Sequence, residues 1–79
     1  MIDKFKKFVE AQIYNQLCYY NITHIEGTGV RFFLTAYEDD YEYVKRQVCH
    51  FIASWDAPIY VSMSPKAQRI IVDIWEERS

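Results

Sequence analysis

The sequence predicts an α+β domain in which two αββ units form a four-stranded antiparallel sheet with two helices packed on one face. Three observations lead to this class. Apolar residues recur every three or four positions in two segments, two alternating segments follow each of them, and the two halves of the chain can be aligned. The 79 residues suffice for one core, so we expect a single domain over residues 1–79, with repeat units at about 3–39 and 40–77.

The first helix is predicted to run from about Asp3 to Tyr19 and to end near Asn21. Asp3 suits the N-cap, because its carboxylate can accept hydrogen bonds from free backbone N–H groups. The apolar stripe of this helix consists of Phe5, Phe8, Val9, Ile13, Leu17 and Tyr20.

A hairpin is predicted after this helix, with strands over residues 21–26 and 30–37 and a turn at 27–29. In the second strand, Phe32, Leu34 and Ala36 form a wholly apolar set that should face the helices. The first strand has two open registers. Either Thr23 and Ile25 face the helices, or Ile22, His24 and Glu26 do.

The second helix shows the same apolar spacing, and its stripe consists of Tyr41, Val44, Val48, Phe51, Ile52 and Trp55. Asp39 and Glu42 have the spacing of a capping box at its start. Asp56 and Pro58 should end it, because the residue before a proline disfavours the helical region. A second hairpin follows, with strands over 59–63 and 69–75 and a loop over 64–68.

The two halves align with few identities but with matching residue classes, for example residues 8–13 against 43–48 and residues 31–39 against 69–77. An internal duplication explains this match. The alternative is that any two αββ units share such a hydrophobic pattern. Both explanations lead to the same sheet, because one αββ unit cannot bury both its helix and its sheet face.

The predicted outer face of the sheet is rich in large side chains. Aromatic residues make up 18% of the chain, and several of them alternate with the apolar sets that face the helices. Such a face is typical of a protein-binding surface or of a homodimer. Cross-strand aromatic pairing or cover by the chain ends would also explain it. The predicted partner-binding residues are Phe33, Thr35, Tyr37, Tyr60, Ile71, Asp73 and Trp75.

No catalytic, cofactor-binding or metal-binding motif is found, so we expect no enzyme and no cofactor. The two glycines, Gly27 and Gly29, are not followed by a helix and indicate a hairpin turn rather than a phosphate loop. Cys18, His24, Cys49 and His50 lack the spacing of a zinc site. We expect both cysteines to be reduced thiols, with a disulfide between them as the alternative.

The charge pattern provides the alternative function. A net charge of −2 argues against a general polyanion binder. However, Arg31, Lys66 and Arg69 would form a basic edge beside the rings if the two hairpin tips lay together, as in single-stranded nucleic-acid binding sheets. No membrane span and no signal peptide are seen, which favours a cytoplasmic protein.

We therefore expect a small non-enzymatic protein–protein interaction domain that binds a larger protein and blocks or adapts it. In size, single-domain organisation and lack of catalytic motifs, the chain resembles the small inhibitors that bacteriophages and mobile elements encode against host machinery, including anti-CRISPR and anti-restriction proteins. This resemblance implies a host protein or protein complex as the partner.

Overall fold

The computed structural model describes residues 2–13, 18–37, 39–53, 55 and 58–75. Its described strands form one antiparallel sheet in the order β1-β2-β4-β3, which together with two helices confirms the α+β class. The elements are α1 (Ile2–Phe8), a π-helical turn (Val9–Ile13), β1 (Cys18–His24), β2 (Gly29–Ala36), α2 (Tyr41–Ile52), β3 (Ile59–Ser64), a 3₁₀ turn (Pro65–Ala67) and β4 (Arg69–Trp75).

Each hairpin contributes one central strand and one edge strand to the sheet. The central strands β2 and β4 pair antiparallel, with Phe32 opposite Val72 and Phe33 opposite Ile71. The edge strands β1 and β3 pair with β2 and β4 respectively. The order is therefore symmetric about the β2–β4 pair, as two αββ units would require, while the duplication itself stays a prediction.

The hydrophobic core contains buried side chains from α1, the π-helical turn, α2 and the strands β1, β2 and β4. Phe5 lies at its centre, with its ring edge-on to Phe32 at a centroid distance of 4.8 Å and 5.8 Å from Phe51. Full burial of one such side chain contributes about 1.5–3 kcal/mol. The largest fully buried side chains are Phe5, Val9, Cys18, Phe32, Leu34, Val44, Val48, Ile70, Val72 and Ile74.

The predicted end of the first helix is wrong. The chain is already in β1 at Cys18, which lies opposite Ala36, whereas the helix was predicted to reach Tyr19. Tyr20 fits the helical stripe through its spacing of three residues from Leu17, but it also alternates with Cys18 and Ile22. Pairing with the central strand β2 decides for the strand. Leu17, in the predicted helical stripe, lies outside the described residues.

The start of α2 also differs from the prediction. Asp39 has φ of +70°, and the N-cap is Asp40, whose side chain makes no capping hydrogen bond. The predicted capping box is therefore wrong, because Asp39 turns the chain and Asp40 N–H donates to the Tyr37 carbonyl at 3.0 Å. The helix ends at Ile52, so Trp55, which was predicted to belong to its apolar stripe, lies beyond it. Of the two residues expected to end the helix, Asp56 lies outside the described residues and Pro58 immediately precedes β3.

Two different turns close the hairpins. Between β1 and β2, Gly27 adopts φ of +70°, which glycine reaches without steric cost. Between β3 and β4, Gln68 takes the left-handed conformation with φ of 54°. Its carbonyl accepts from Ala36 N–H at 2.8 Å, so the second turn is attached to the end of β2.

Candidate functional site

The strand register assigns each side chain to one of two faces of the sheet. We call the face that carries Phe32 and Val72 the core face, and the opposite face, which carries Phe33 and Asp73, the outer face. Three rows of side chains cross the outer face from β1 to β3, because residues opposite each other share a face. They are Thr23–Arg31–Asp73–Tyr60, Asn21–Phe33–Ile71–Ser62 and Tyr19–Thr35–Arg69–Ser64.

The register resolves the orientation of β1. Ile22 lies opposite Phe32 and His24 opposite Val30, so both share the core face. Thr23 lies opposite Arg31 and belongs to the outer face. Of the two registers open from the sequence, the structure has the one with Ile22 and His24 on the core side.

A charged pair lies in the first row of the outer face. Arg31 donates through Nε to Asp73 Oδ1 at 2.8 Å and through its second terminal nitrogen to Oδ2 at 3.0 Å. Asp73 is only 4% exposed, whereas the Arg31 side chain is 39% exposed. The hydrogen bond to Asp73 and its negative charge raise the pKa of Arg31 above its usual value. The pair therefore hides the carboxylate and leaves part of the guanidinium at the surface.

Phe33 connects this pair to the apolar centre of the face. The Arg31 guanidinium carbon lies 6.0 Å from the Phe33 ring centroid, within the range of a cation–π interaction. Phe33 and Ile71 lie opposite each other in the middle row, and both are half-buried. These two residues form an apolar centre that Asn21 and Ser62, both exposed, flank on the edge strands.

Two exposed tyrosines stand at opposite corners of the outer face. Tyr60 on β3 is 65% exposed and Tyr19 on β1 is 62% exposed. The Tyr19 ring is edge-on to Tyr37, with centroids 4.8 Å apart. Tyr19 is not among the predicted partner-binding residues, because its segment was predicted to be helical.

Trp75 lies at the far end of the same face and is attached to the β1–β2 turn. Its indole N–H donates to the Glu26 carbonyl at 3.3 Å. A Cβ added at Gly29, opposite Trp75 in the register, would lie 2.5 Å from Trp75 Nε1 and 2.6 Å from Ile25 Cγ1. Glycine at this position therefore lets the indole ring approach the backbone.

The seven predicted partner-binding residues lie in or beside these rows. Phe33, Thr35, Ile71, Asp73 and Tyr60 are in the three rows, and Trp75 continues β4 on the same face. Tyr37 follows β2 and contacts Tyr19. Asp73 differs from the others, because its carboxylate is buried and bonded to Arg31.

The three basic residues of the alternative function are not brought together. Arg31 lies opposite Asp73, while Arg69 lies opposite Thr35, four residues away along β4. That separation corresponds to about 13 Å in an extended strand. The antiparallel β2–β4 pair places the two hairpin turns at opposite ends of the sheet, so Arg31 is far from the turn that carries Lys66. The condition for a basic edge, that the two hairpin tips lie together, is therefore not met.

The remaining chemistry-bearing side chains do not assemble into a site. Cys18 is buried and Cys49 exposed, and both are free thiols. Within the described residues, no group of three His, Cys, Asp or Glu side chains could hold a metal, and no pocket is found. No helix in the part of the chain that the structure describes is long and apolar enough to cross a membrane. No protein-family model, curated protein or solved structure matches the chain.

Proposed function

We propose that this chain is a small non-catalytic interaction domain that binds a larger protein through the outer face of its sheet. The observation that carries the proposal is the pattern of that face. Half-buried Phe33 and Ile71 form its centre, and the exposed rings of Tyr19 and Tyr60 stand on either side. Both helices, in this proposal, cover the core face alone, as the contact of Phe5 with Phe32 supports.

The composition of the face matches that of protein interfaces. Tyrosine, tryptophan and arginine dominate interface hot spots, and an apolar centre with a polar rim is the usual arrangement. The exposed residues Asn21, Thr23, Ser62 and Ser64 supply such a rim on the edge strands. A partner surface with an apolar patch would bury Phe33 and Ile71 without leaving the Asp73 carboxylate unpaired, because Asp73 is already bonded to Arg31.

Arg31 defines the polar chemistry expected of the partner. A guanidinium has five N–H donors, and the pair with Asp73 uses two of them. Since the side chain is 39% exposed, its remaining donors can meet a carbonyl or carboxylate. In this proposal Asp73 is a positioning residue that holds the guanidinium plane and does not itself contact the partner.

The biological setting that we favour is a phage or mobile-element inhibitor of host defence, acting in the cytoplasm. Its support is the resemblance in size and organisation to such inhibitors. Nucleic-acid binding has less support, because the positive charge of Arg31 is compensated by Asp73 and lies away from Lys66 and Arg69.

The proposal is tested by comparing two kinds of tyrosine variant in purification from host-cell extract. Tyr19→Ala with Tyr60→Ala removes both exposed rings of the outer face. Tyr43→Ala is the matched control, because Tyr43 is 45% exposed on α2. We expect wild type and Tyr43→Ala each to retain one protein partner at a stoichiometric ratio. The double variant should bind this partner about tenfold more weakly and retain less of it from the extract.

Circular dichroism and thermal melting establish that all variants fold. The purified partner is then titrated against each variant in buffers of different ionic strength. Equal binding by the double variant, or loss with Tyr43→Ala alone, would contradict the assignment to the outer face. Binding only to nucleic acid, with strong salt dependence, would support the alternative function instead.

A further inference from the structure

Among the described strands β1 pairs with β2 alone, so its second edge offers backbone hydrogen-bonding groups to a further strand. Ile25 N–H donates to the Gly29 carbonyl at 3.1 Å, which fixes the alternation of hydrogen-bonded pairs along β1 and β2. By this alternation Asn21 and Thr23 bond to β2, as Ile25 does. Ile22 and His24, in the intervening pairs, direct their N–H and C=O groups away from β2.

This edge lacks the features with which proteins block strand addition. Natural edge strands carry charges, prolines or bulges. The seven residues Cys18–His24 contain no Asp, Glu, Lys, Arg or Pro, and their register with β2 is continuous. The four residues from Asn21 to His24 are all exposed, so neither face of this stretch is covered. Ile22 is 39% exposed although it is β-branched and apolar.

The other edge is less suited to the same role. β3 also lacks charges, but Pro58 and Pro65 stand immediately before and after it. Its exposed end consists of Ser62, Met63 and Ser64, and serine has a weaker preference for strands than the Ile22-Thr23 pair. β1 is therefore the edge that favours pairing.

We propose that β1 pairs antiparallel with β1 of a second copy of this chain, about a two-fold axis at Thr23, to form a continuous eight-stranded sheet. In this register Ile22 of each copy forms a hydrogen-bonded pair with His24 of the other. Thr23 lies opposite its own symmetry mate, a favourable cross-strand pair. The register joins the exposed stretches of both copies and extends the outer face across the axis.

The charge distribution favours a second copy of this chain as the partner of the β1 edge. The chain has a net charge of −2, so two copies repel each other at most approaches. At β1 neither copy brings a formal charge, and an antiparallel two-fold aligns donors with acceptors automatically. Because an edge-to-edge contact is small, we expect a dissociation constant on the order of micromolar.

The decisive variant is Ile22→Pro, because it removes one N–H from the free edge and none from the β1–β2 pairing. Proline is accepted on edge strands when its nitrogen faces outward. Ile22→Thr is the control, since it keeps both the N–H and a β-branched side chain. In sedimentation equilibrium we expect wild type and Ile22→Thr to dimerise, and Ile22→Pro to dimerise about tenfold more weakly or not at all.

Site-resolved amide exchange of the wild type provides a second test that does not depend on the folding of a variant. The amides of Ile22 and His24 should gain protection as the concentration rises from micromolar to millimolar. Those of Asn21 and Thr23 should be protected at both concentrations, because they bond within the chain. A wild-type monomer at millimolar concentration, a dimer without protection at Ile22 and His24, or an unchanged Ile22→Pro dimer would overturn the proposal.

This dimer does not depend on the proposed function. A monomeric Ile22→Pro protein that retains its partner through Tyr60 would support both proposals separately. Loss of partner binding in the tyrosine variants, with an intact dimer, would leave the edge pairing as it stands.

Discussion

Side chains on the central strands and on the edge strands are buried to very different extents, although they share one face of the sheet. Met63 on β3 lies opposite Ile70 on β4, yet Met63 is 37% exposed and Ile70 is 1% exposed. Likewise, Ile22 on β1 is 39% exposed beside Phe32, which is fully buried. Burial in this domain therefore depends on position in the sheet more than on the alternation of residue types. The centre provides stability, and the edges and the outer face remain available for contacts.

The largest expected effect comes from making the same substitution at the centre and at the edge. Ile70→Ala should lower the free energy of unfolding by about 2–5 kcal/mol, because it opens a cavity in a packed core. Ile22→Ala should cost less than about 1 kcal/mol, because that side chain already contacts water. Urea unfolding at low micromolar concentration measures both. Equal costs would show that the β1 edge is part of the core.

A smaller effect is expected from removing a central arginine. Arg31→Met leaves the buried Asp73 carboxylate without its partner, whereas Arg69→Met removes an exposed charge. We expect a lower urea midpoint for Arg31→Met and almost no change for Arg69→Met. Adding Asp73→Leu to Arg31→Met should restore part of the loss, since the uncompensated carboxylate disappears. If the double variant were less stable than Arg31→Met alone, the pair would not explain the effect.

The smallest effect concerns Cys18, where the edge strand enters the core. Burial raises the pKa of the Cys18 thiol from 9.0 to about 11. The folded state thus holds this proton more tightly than the unfolded state. The neutral Cys18 thiol therefore contributes its full stabilisation of the fold below pH 9, and this stabilisation is lost as the pH rises to about 11. The stability difference between wild type and Cys18→Ala should narrow over this interval, as followed by urea unfolding at each pH.

Cys49 provides the internal control for this prediction. Its thiol is exposed on α2, so iodoacetamide at about pH 8 should modify Cys49 in the native protein and leave Cys18 intact. Mass spectrometry of the peptides separates the two sites. Equal modification rates at both cysteines would mean that the start of β1 opens readily.

The alternating pattern of the central strands could be predicted from the sequence alone. Phe32 and Leu34 alternate with Phe33 and Thr35, and the structure separates them onto two faces as expected. The class of the domain, the four strands and most of the outer face follow from such local patterns. Such local patterns are reliable in the central strands, because each of these strands is buried on one side along its whole length.

Features that depend on long-range pairing could not be predicted. The segment around Tyr20 satisfies both a helical and an alternating pattern, and only its pairing with β2 selects the strand. Arg31 and Asp73 are 42 residues apart and meet only because β2 and β4 adopt one register. The sequence does place an arginine and an aspartate on the same face of two predicted strands. This observation predicts an ion pair only when it is known that the two strands are neighbours in the sheet.

The contact between Gly29 and Trp75 has a consequence for how this sequence can change over time. Since a side chain at position 29 would meet both the Trp75 indole and the Ile25 side chain, glycine is required there for as long as positions 25 and 75 keep these large residues in place. A smaller residue at position 75 alone would leave the close contact with Ile25, so both neighbours must become smaller or move before position 29 can accept a side chain. Positions 25, 29 and 75 should therefore change together among descendants of this chain, with the changes at positions 25 and 75 preceding the change at position 29.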